Sequence, residues 1–405
     1  MLNFSIMERT IPSVIIFTDY IPQDLREMFM GVTRYVQEHG RWNVYNVEHR
    51  RWSWSNTLRS WENWKPDGII AAALHSHNDA VRIRALNVPT VVFLQSPEMR
   101  QADYPLADCS CCVWNSRAIG KLAARHFHER HFTNFAFVDA PWADSYWSIE
   151  REEGFHTELA RLRPSYDFTY IRYGFCSKRE QVDWLAERPR MMQWLRALPK
   201  PCAIFTPNDR RGHQVLDACR AERIPVPGEI AVLGVDNDTW ICEASIPRLS
   251  SVRCLPEQTG YAAAAHLDAL MRSVKLPRRE FMVEPADIVT RQSTNWTAVP
   301  DAVVAKILQI IQEHACEQDI TIDSLVRTAG VARRTLEVRF RAATGKSIRD
   351  EIEYVRLSRV KSLLKEDRLS LSEIAHKTGF ASLKHLDRIF RLRYGHPPSH
   401  EDWQC

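Results

Sequence analysis

One pattern written twice in the last hundred residues constrains this chain more than any other feature. Leu336 and Leu386 are its anchors. Four residues on come Phe340 and Phe390, and nine residues on come Gly345 and Gly395. Upstream, Leu325-Val326 and Ile374-Ala375 lie in short segments that stop at Gly330 and Gly379. Each copy reads as a short helix, a glycine turn and a second helix whose apolar residues face inward. Two such helix-turn-helix units in one small all-α domain can present helices to two successive major-groove segments of DNA.

Charge supports that reading. From Arg327 to Arg393 there are 17 Lys and Arg against 8 Asp and Glu, a balance of +9 within a chain whose total is +4. The remainder therefore carries −5, and the basic surface belongs to the duplicated region. Basic charge confined to one module is the electrostatic footprint of phosphate binding.

A helix turns about 100° per residue, which sorts the second helix of each copy into faces. With Leu336 and Phe340 in the core, Arg334, Glu337, Val338 and Arg341 share the opposite side, and Arg333 stands at its start. In the other copy Leu386 and Phe390 leave Lys384, Asp387, Arg388 and Arg391 outward. Arg334 and Arg388 are candidates for guanine O6 and N7, Glu337 or Asp387 for cytosine N4, and Val338 for a thymine methyl. Arg341 and Arg391 lie farther along and suit phosphates. A solvent ion pair between Glu337 and Arg341, at i,i+4, competes with this reading. Ala332 occupies the N-cap of the first such helix, where a serine would add about 0.5–2 kcal/mol.

Upstream, apolar runs alternate with helical patterns. Val14 to Phe17, Gly68 to Ala71, Thr90 to Leu94, Phe135 to Val138, Ala203 to Phe205 and Ile230 to Leu233 read as buried strands, with a helix near Leu25 to Glu38. Such alternation means a parallel, doubly wound α/β sheet. About three hundred residues exceed one comfortable sheet, so two similar α/β lobes over 1–295 are expected, followed by the helix-turn-helix domain over 296–405. Thr294 to Pro300 reads as the linker, with Pro300 opening a new helix.

Ligands of open α/β sheets bind outside the carboxyl ends of the strands. After the first strand come Asp19, Tyr20 and Asp24; after Ala203 to Phe205 come Asn208, Asp209 and Arg210; after Ile230 to Leu233 come Asp236, Asn237, Asp238 and Trp240. Carboxylates accept from adjacent hydroxyls, arginine and asparagine donate, and an indole covers an apolar sugar face, so the set suits a polyol. Any one of these residues is equally explained by strand ends that meet solvent. Trp42, Trp52, Trp54, Trp61 and Trp64 cluster where core packing or an interface is the simpler role, while Trp142 and Trp147 lie nearer strand ends.

No G-x-G-x-x-G follows the first strand, and neither a phosphate-binding lysine loop nor a G-x-S-x-G elbow occurs. No cofactor and no catalytic residue is indicated. The ten cysteines have no regular spacing; Cys109, Cys111 and Cys112 are dense enough to raise a soft-metal site, but buried or idle thiols fit better beside His126 and His128 on a helix. With no apolar run of about 18 residues and no secretory pattern in residues 1–10, a cytoplasmic protein without a membrane partner is expected.

Two families share these residues. The C-terminal part resembles the AraC/XylS-type DNA-binding domain, from Ile322 to Leu325, through Arg334 to Phe340, Thr344-Gly345 and Arg356 to Val360, to Ile374-Ala375, Gly379-Phe380 and Phe390 to Pro398. The first part resembles the type I periplasmic-binding-protein-like effector domain of LacI/GalR regulators, on Arg151 to Phe155, Thr206 to Asp209, Ile224 to Pro227 and Val232 to Asn237. An effector domain first and an AraC-type domain last is the order found in XylR-like regulators. The resemblance implies a sugar-responsive transcription factor, commonly an activator of sugar catabolism. Such a factor acts as a homodimer on tandem half-sites of double-stranded DNA and in contact with RNA polymerase.

Carried over by position, Arg151 and Asp236 contact the sugar from opposite sides, with Asn237 beside Asp236 and Asn208 and Asp209 after their strand. Asn115 stands where the pattern often has an acid, and Asp24-Leu25-Arg26 departs from the family's Tyr-Asp-Arg. Two other readings stay open: a ligand-independent DNA binder whose α/β lobes only dimerise, and a DNA-repair alkyltransferase fusion, which would need a reactive cysteine in a defined motif.

Overall fold

Runs such as Ile69-Ile70 and Val91 to Phe93 offer no polar face, so they are stable as strands only where both faces are covered. The structure is a computed structural model. It describes residues 11–400 except 19–22, 41, 49–65, 73–76, 95, 142–144, 166, 176–182, 296–298, 300, 318–319 and 367–368. Asp19, Tyr20, Trp52, Trp54, Trp61, Trp64, Trp142 and Pro300 lie outside the described residues.

The chain forms two compact units, 1–116 with 254–285, and 117–253 with 286–405. It therefore passes between them after Ser116, after Arg253 and after Pro285. The first unit holds β1 (Ser13–Thr18), α1 (Gln23–His39), β2 (Asn43–Glu48), β3 (Gly68–Ala72), α2 (His77–Ala85), β4 (Thr90–Phe93) and β5 (Ser110–Trp114). The second takes up α3 (Ser116–Glu129), β6 (Asn134–Val138), α4 (Tyr146–Leu162), β7 (Thr169–Tyr173), α5 (Trp184–Ala197), β8 (Cys202–Phe205), α6 (Asp209–Ala221), β9 (Ile230–Val235), α7 (Thr239–Ala244) and β10 (Ser250–Cys254). The chain then returns α8 (Pro256–Met271) and β11 (Glu280–Val283) to the first unit and β12 (Pro285–Val289) to the second.

Each unit is built on a six-stranded sheet, ordered β11-β5-β4-β3-β1-β2 and β12-β10-β9-β8-β6-β7. The pairings around β1, β3 and β4, and around β6, β8 and β9, are parallel. All six predicted strands are present, and all six are interior to their sheets. Leu94, read as strand, instead turns the chain out of β4 with a φ of 61°. Cys111 and Cys112 are buried in β5. Trp42 is buried as well, at 9% exposure.

The predicted linker begins later than Thr294. Thr294 is fully buried, with its hydroxyl on Ser250 Oγ at 2.8 Å and its carbonyl accepting from Arg130 Nε at 2.9 Å. The next helix is capped by Asp301, whose Oδ1 accepts from the backbone of Val303 and Val304 at 3.0 and 3.2 Å. A carboxylate there satisfies amides that the helix itself leaves open.

The C-terminal helices are α9 (Ala302–His314), α10 (Ile322–Ala329), α11 (Arg333–Thr344), α12 (Ile348–Glu366), α13 (Leu371–Lys377) and α14 (Leu383–Tyr394). They enclose two small cores. Leu325, Leu336 and Phe340 pack with Ile307, Ile311 and Ile352; Ile374, Leu386 and Phe390 pack with Leu357, Val360 and Phe380. Helix α12 serves both, the first with its N-terminal half and the second with its C-terminal half, so its apolar residues form no single stripe. Gly330, Gly345 and Gly395 end α10, α11 and α14 with φ of 65°, 73° and 84°, the left-handed cap that a side chain resists. No helix among the described residues is long and apolar enough to cross a membrane.

Candidate functional site

Asp24 and Asn115 belong to the first unit, and the other seven candidate ligand residues to the second. Asp24 lies in the first turn of α1. Asn115 follows β5, and its amide donates to both carboxylate oxygens of Glu284, at 2.9 and 3.0 Å. The amide that replaces the expected acid thus has an acid of its own.

In the second unit, Arg151 is set by a close helix crossing. A side-chain carbon on Gly120 of α3 would lie 2.0 Å from the Arg151 carbonyl, and one on Gly154 would lie 2.1 Å from that of Arg117. Glycine at both positions lets α3 and α4 touch backbone to backbone, and Arg117 bridges them to Glu150 and Glu153 at 2.7 and 2.6 Å. The Arg151 guanidinium, almost wholly buried, then reaches the strand ends. Its Nη1 donates to the Pro207 carbonyl after β8, and its Nη2 lies 3.6 Å from Asp236 Oδ1 after β9. It stacks 5.0 Å from the centre of the Trp147 ring, a cation–π contact. Arg151 and Asp236 therefore lie side by side at the strand ends. Arg151 comes from α4, which follows β6, and Asp236 from the end of β9, so the two meet only once β6, β8 and β9 have paired in one sheet.

The remaining candidates divide. Asn208 caps α6, its side chain accepting from Arg211 N at 2.9 Å. Asn237 accepts from Arg291 Nη2 at 3.0 Å. Arg210 is exposed, and Trp240, on α7, stands 80% exposed. Asp209 is turned inward at 1% exposure, with its carboxylate engaged by Ser251, Asp238 and Cys242. Burial pushes its carboxyl up to about 7 despite those donors.

The strand-end rule also reaches Asp139, which sequence reading passed over although it follows Phe135 to Val138 directly. Asp139 accepts from Ser148 Oγ at 3.1 Å and from Arg172 Nη2 at 2.8 Å. Its carbonyl accepts from Arg211 Nε at 3.1 Å. Arg211 in turn forms a fully buried two-bond pair with Glu187 of α5, its Nη1 at 2.8 Å from Oε2 and its Nη2 donating to Oε1. The two stand 24 positions apart in the chain, and no local signal joined them.

The nucleic-acid candidates fall as helix geometry requires. Leu336, Phe340, Leu386 and Phe390 are fully buried. Arg333, Arg334, Glu337, Val338 and Arg341 on α11 are exposed, as are Lys384, Arg388 and Arg391 on α14, with Asp387 half-buried beside them. Glu337 does not pair with Arg341. It takes Arg333 Nε at 3.0 Å, while Arg333 Nη1 reaches Asp323 at 3.3 Å. Arg333 can span both acids because it sits at the turn between α10 and α11. On α14 the pair is Asp387 with Arg391, at 2.9 Å. Thr321, Ser370 and Ser382 cap α10, α13 and α14 through their side chains, whereas Ala332 gives α11 no such bond.

The connecting helix α12 is fixed to the second sheet's unit at two places. Tyr354 Oη donates to the Glu129 carboxylate at the end of α3. Asp287 on β12 accepts from Arg253 Nε and Nη2 at 2.8 and 3.0 Å, and from Arg359 Nη1 and Ser362 Oγ of α12, both at 2.8 Å. Burial alone would raise its pKa, but these donors, Arg253 foremost, outweigh it and hold the carboxyl below its ordinary value.

Comparison with known proteins follows the same division. Residues 124–294 match the periplasmic binding protein-like domain and residues 325–401 a helix-turn-helix domain. The xylose operon regulatory protein of Escherichia coli K12 is 28% identical over 378 residues, 92% of either chain. Its counterpart in Haemophilus influenzae is 27% identical over 386 residues, 94% of this chain and 95% of that one. A solved structure of the xylose-binding transcription activator XylR is 26% identical and covers 97% of this chain and 98% of its own, with a TM-score of 0.61. The cellobiose complex of the regulator CelR, at 18% identity over 69% of this chain and 84% of its own, shares the fold with a TM-score of 0.54. The similarity runs through both modules and the joint between them, and the chain is a DNA-binding transcription regulator of the XylR-like kind, a periplasmic-binding-protein-like domain followed by an AraC/XylS-type helix-turn-helix domain.

Proposed function

We propose that this chain activates genes of sugar breakdown, for xylose or a related monosaccharide, as a cytoplasmic homodimer bound to tandem half-sites and in contact with RNA polymerase. The observation that carries the reading is the similarity to xylose operon regulators over nine-tenths of both chains. The strand ends of the second sheet support a polyol effector. There a buried guanidinium, a carboxylate and an indole face adjoin one another, which supplies a donor, an acceptor and an apolar surface. The effector contacts proposed are Arg151 and Asp236 above all. Alpha-helices α11 and α14 supply the base-reading side chains.

Calorimetry and thermal shift with D-xylose and a panel of pentoses, hexoses and sugar acids test the effector. Asp236→Ala is expected to weaken the sugar that binds by roughly ten- to a hundredfold, the loss of about 1.5–3 kcal/mol for a charged hydrogen bond. Its affinity for DNA without sugar should stay as it was. A change in sugar affinity of less than twofold removes Asp236 from the site. If no sugar shifts the melting temperature, the ligand-independent reading takes over.

On DNA, Arg334→Ala and Arg388→Ala are each expected to lose about 1–3 kcal/mol on the specific site and to relax base preference in neighbouring major-groove segments. Binding-site selection from randomised DNA, with fluorescence anisotropy on the selected and scrambled duplexes, measures this. Equal losses on both duplexes would make the two arginines phosphate contacts.

A further inference from the structure

The turn from β9 into α7 holds a conformation its own residues resist. Asp236 has a φ of 100° and Asn237 a φ of 51°, and neither is glycine. Such backbone persists only where its surroundings over-determine it. Four contacts do so here. Asp236 N donates to the Val252 carbonyl at 3.1 Å, and Asn237 N to Ser251 Oγ at 2.9 Å. Arg291 Nη2 holds the Asn237 side chain at 3.0 Å, and Asp238 N donates to Asp209 Oδ2 at 2.7 Å.

Two of these four converge on one buried acid. The Ser251 hydroxyl that accepts from Asn237 donates onward to Asp209 Oδ1 at 2.5 Å, and Cys242 Sγ of α7 lies 3.3 Å from Oδ2. The carboxylate is seated against the end of β9 itself, since a side-chain carbon on Gly234 would come within 2.1 Å of Oδ1. From the first turn of α6, Asp209 thus reaches β9, β10 and α7 at once. Asp236, within the turn so held, is the residue that meets Arg151.

We propose that Asp209 is a positioning residue: it touches no effector and holds the β9–α7 turn so that Asp236 presents its carboxylate beside Arg151. The proposal rests on Asp236 as an effector contact, and its test separates the two. Hydrogen–deuterium exchange on the full-length, ligand-free chain reads the turn without any sugar. In Asp209→Asn, peptides covering residues 235–242 should exchange at least about tenfold faster, the scale of a lost hydrogen bond to a charged group. Peptides from β6 and from α11 should be unchanged. Calorimetry with the monosaccharide that binds the wild type, D-xylose being tried first, then reads the consequence. Asp209→Asn should weaken it roughly tenfold or more, and should have no further effect in an Asp236→Asn background.

A purely stabilising role would lower the melting temperature while leaving sugar affinity and local exchange as they were, which overturns the proposal. Losses that multiply in the double variant overturn it too, because Asp209 would then act on the ligand by a separate route. Should Asp209→Asn fail to fold, Ser251→Ala, which removes the second arm of the clamp, is held to the same outcomes. If no monosaccharide binds the wild type, the sugar reading falls, and the exchange result alone upholds or overturns the clamp.

Discussion

Replacing Glu187 by alanine is expected to lower the unfolding free energy of the second unit by about 3–5 kcal/mol, the usual cost of stranding one member of a buried ion pair. Arg211 and Glu187 are each about 1% exposed, and the guanidinium lies 4.7 Å from the centre of the Phe175 ring, so water cannot replace the lost carboxylate. Asp139 should loosen with it, since Arg211 Nε holds its carbonyl. Urea unfolding followed by circular dichroism measures the loss. Glu187→Gln, which keeps one acceptor, should lose less, and the paired change Glu187→Met with Arg211→Met should recover much of the stability, because it removes both charges together. A destabilisation of Glu187→Ala below about 1 kcal/mol would mean that the pair is solvated in solution, in the range of exposed pairs.

The second large effect is expected at Asp287, where β12, Arg253 and the connecting helix meet. Arg253 and Asp287 flank two of the chain's three passages between units, and the same carboxylate takes Arg359 and Ser362 of α12. If an effector regulates DNA binding, it does so through a coupling free energy, commonly about 1–3 kcal/mol or five- to 150-fold, and linkage makes the effect on DNA affinity equal the effect of DNA on effector affinity. Asp287→Ala should bring both ratios close to one while each ligand alone still binds. Titrating the sugar with and without a two-half-site duplex, and the duplex with and without sugar, closes the cycle. Ratios unchanged in the variant would place the coupling elsewhere, with the second fixed contact, Tyr354 to Glu129, the next to be tested.

What could be read in the sequence was whatever depends on neighbours along the chain. The duplicated helix-turn-helix was legible because helical period and left-handed glycine caps are local properties, and the buried residues Leu336, Phe340, Leu386 and Phe390 follow from them. The strands β1, β3, β4, β6, β8 and β9 were legible because strands covered on both faces are unbroken apolar runs. β2, β7, β11 and β12 lie at or near sheet edges and mix polar with apolar residues, while β5 and β10 are buried but rich in serine and cysteine, so neither group stood out.

The strand-end rule found the neighbourhood of the candidate site but not the direction of its side chains. Asp209 and Asp236 both follow predicted strands, yet one faces the interior and the other faces Arg151. Which way each turns is set by Ser251, Cys242 and Gly234 in one case and by Arg151 in the other. The choice of Arg333 over Arg341 as partner of Glu337 and the convergence of four side chains on Asp287 have the same origin. Sequence determined the modules, their order and the faces of their helices. Only the tertiary structure decided which charges meet, because a hydrogen bond is fixed by distances of a few ångströms between residues that the chain keeps far apart until the sheets and helices have packed.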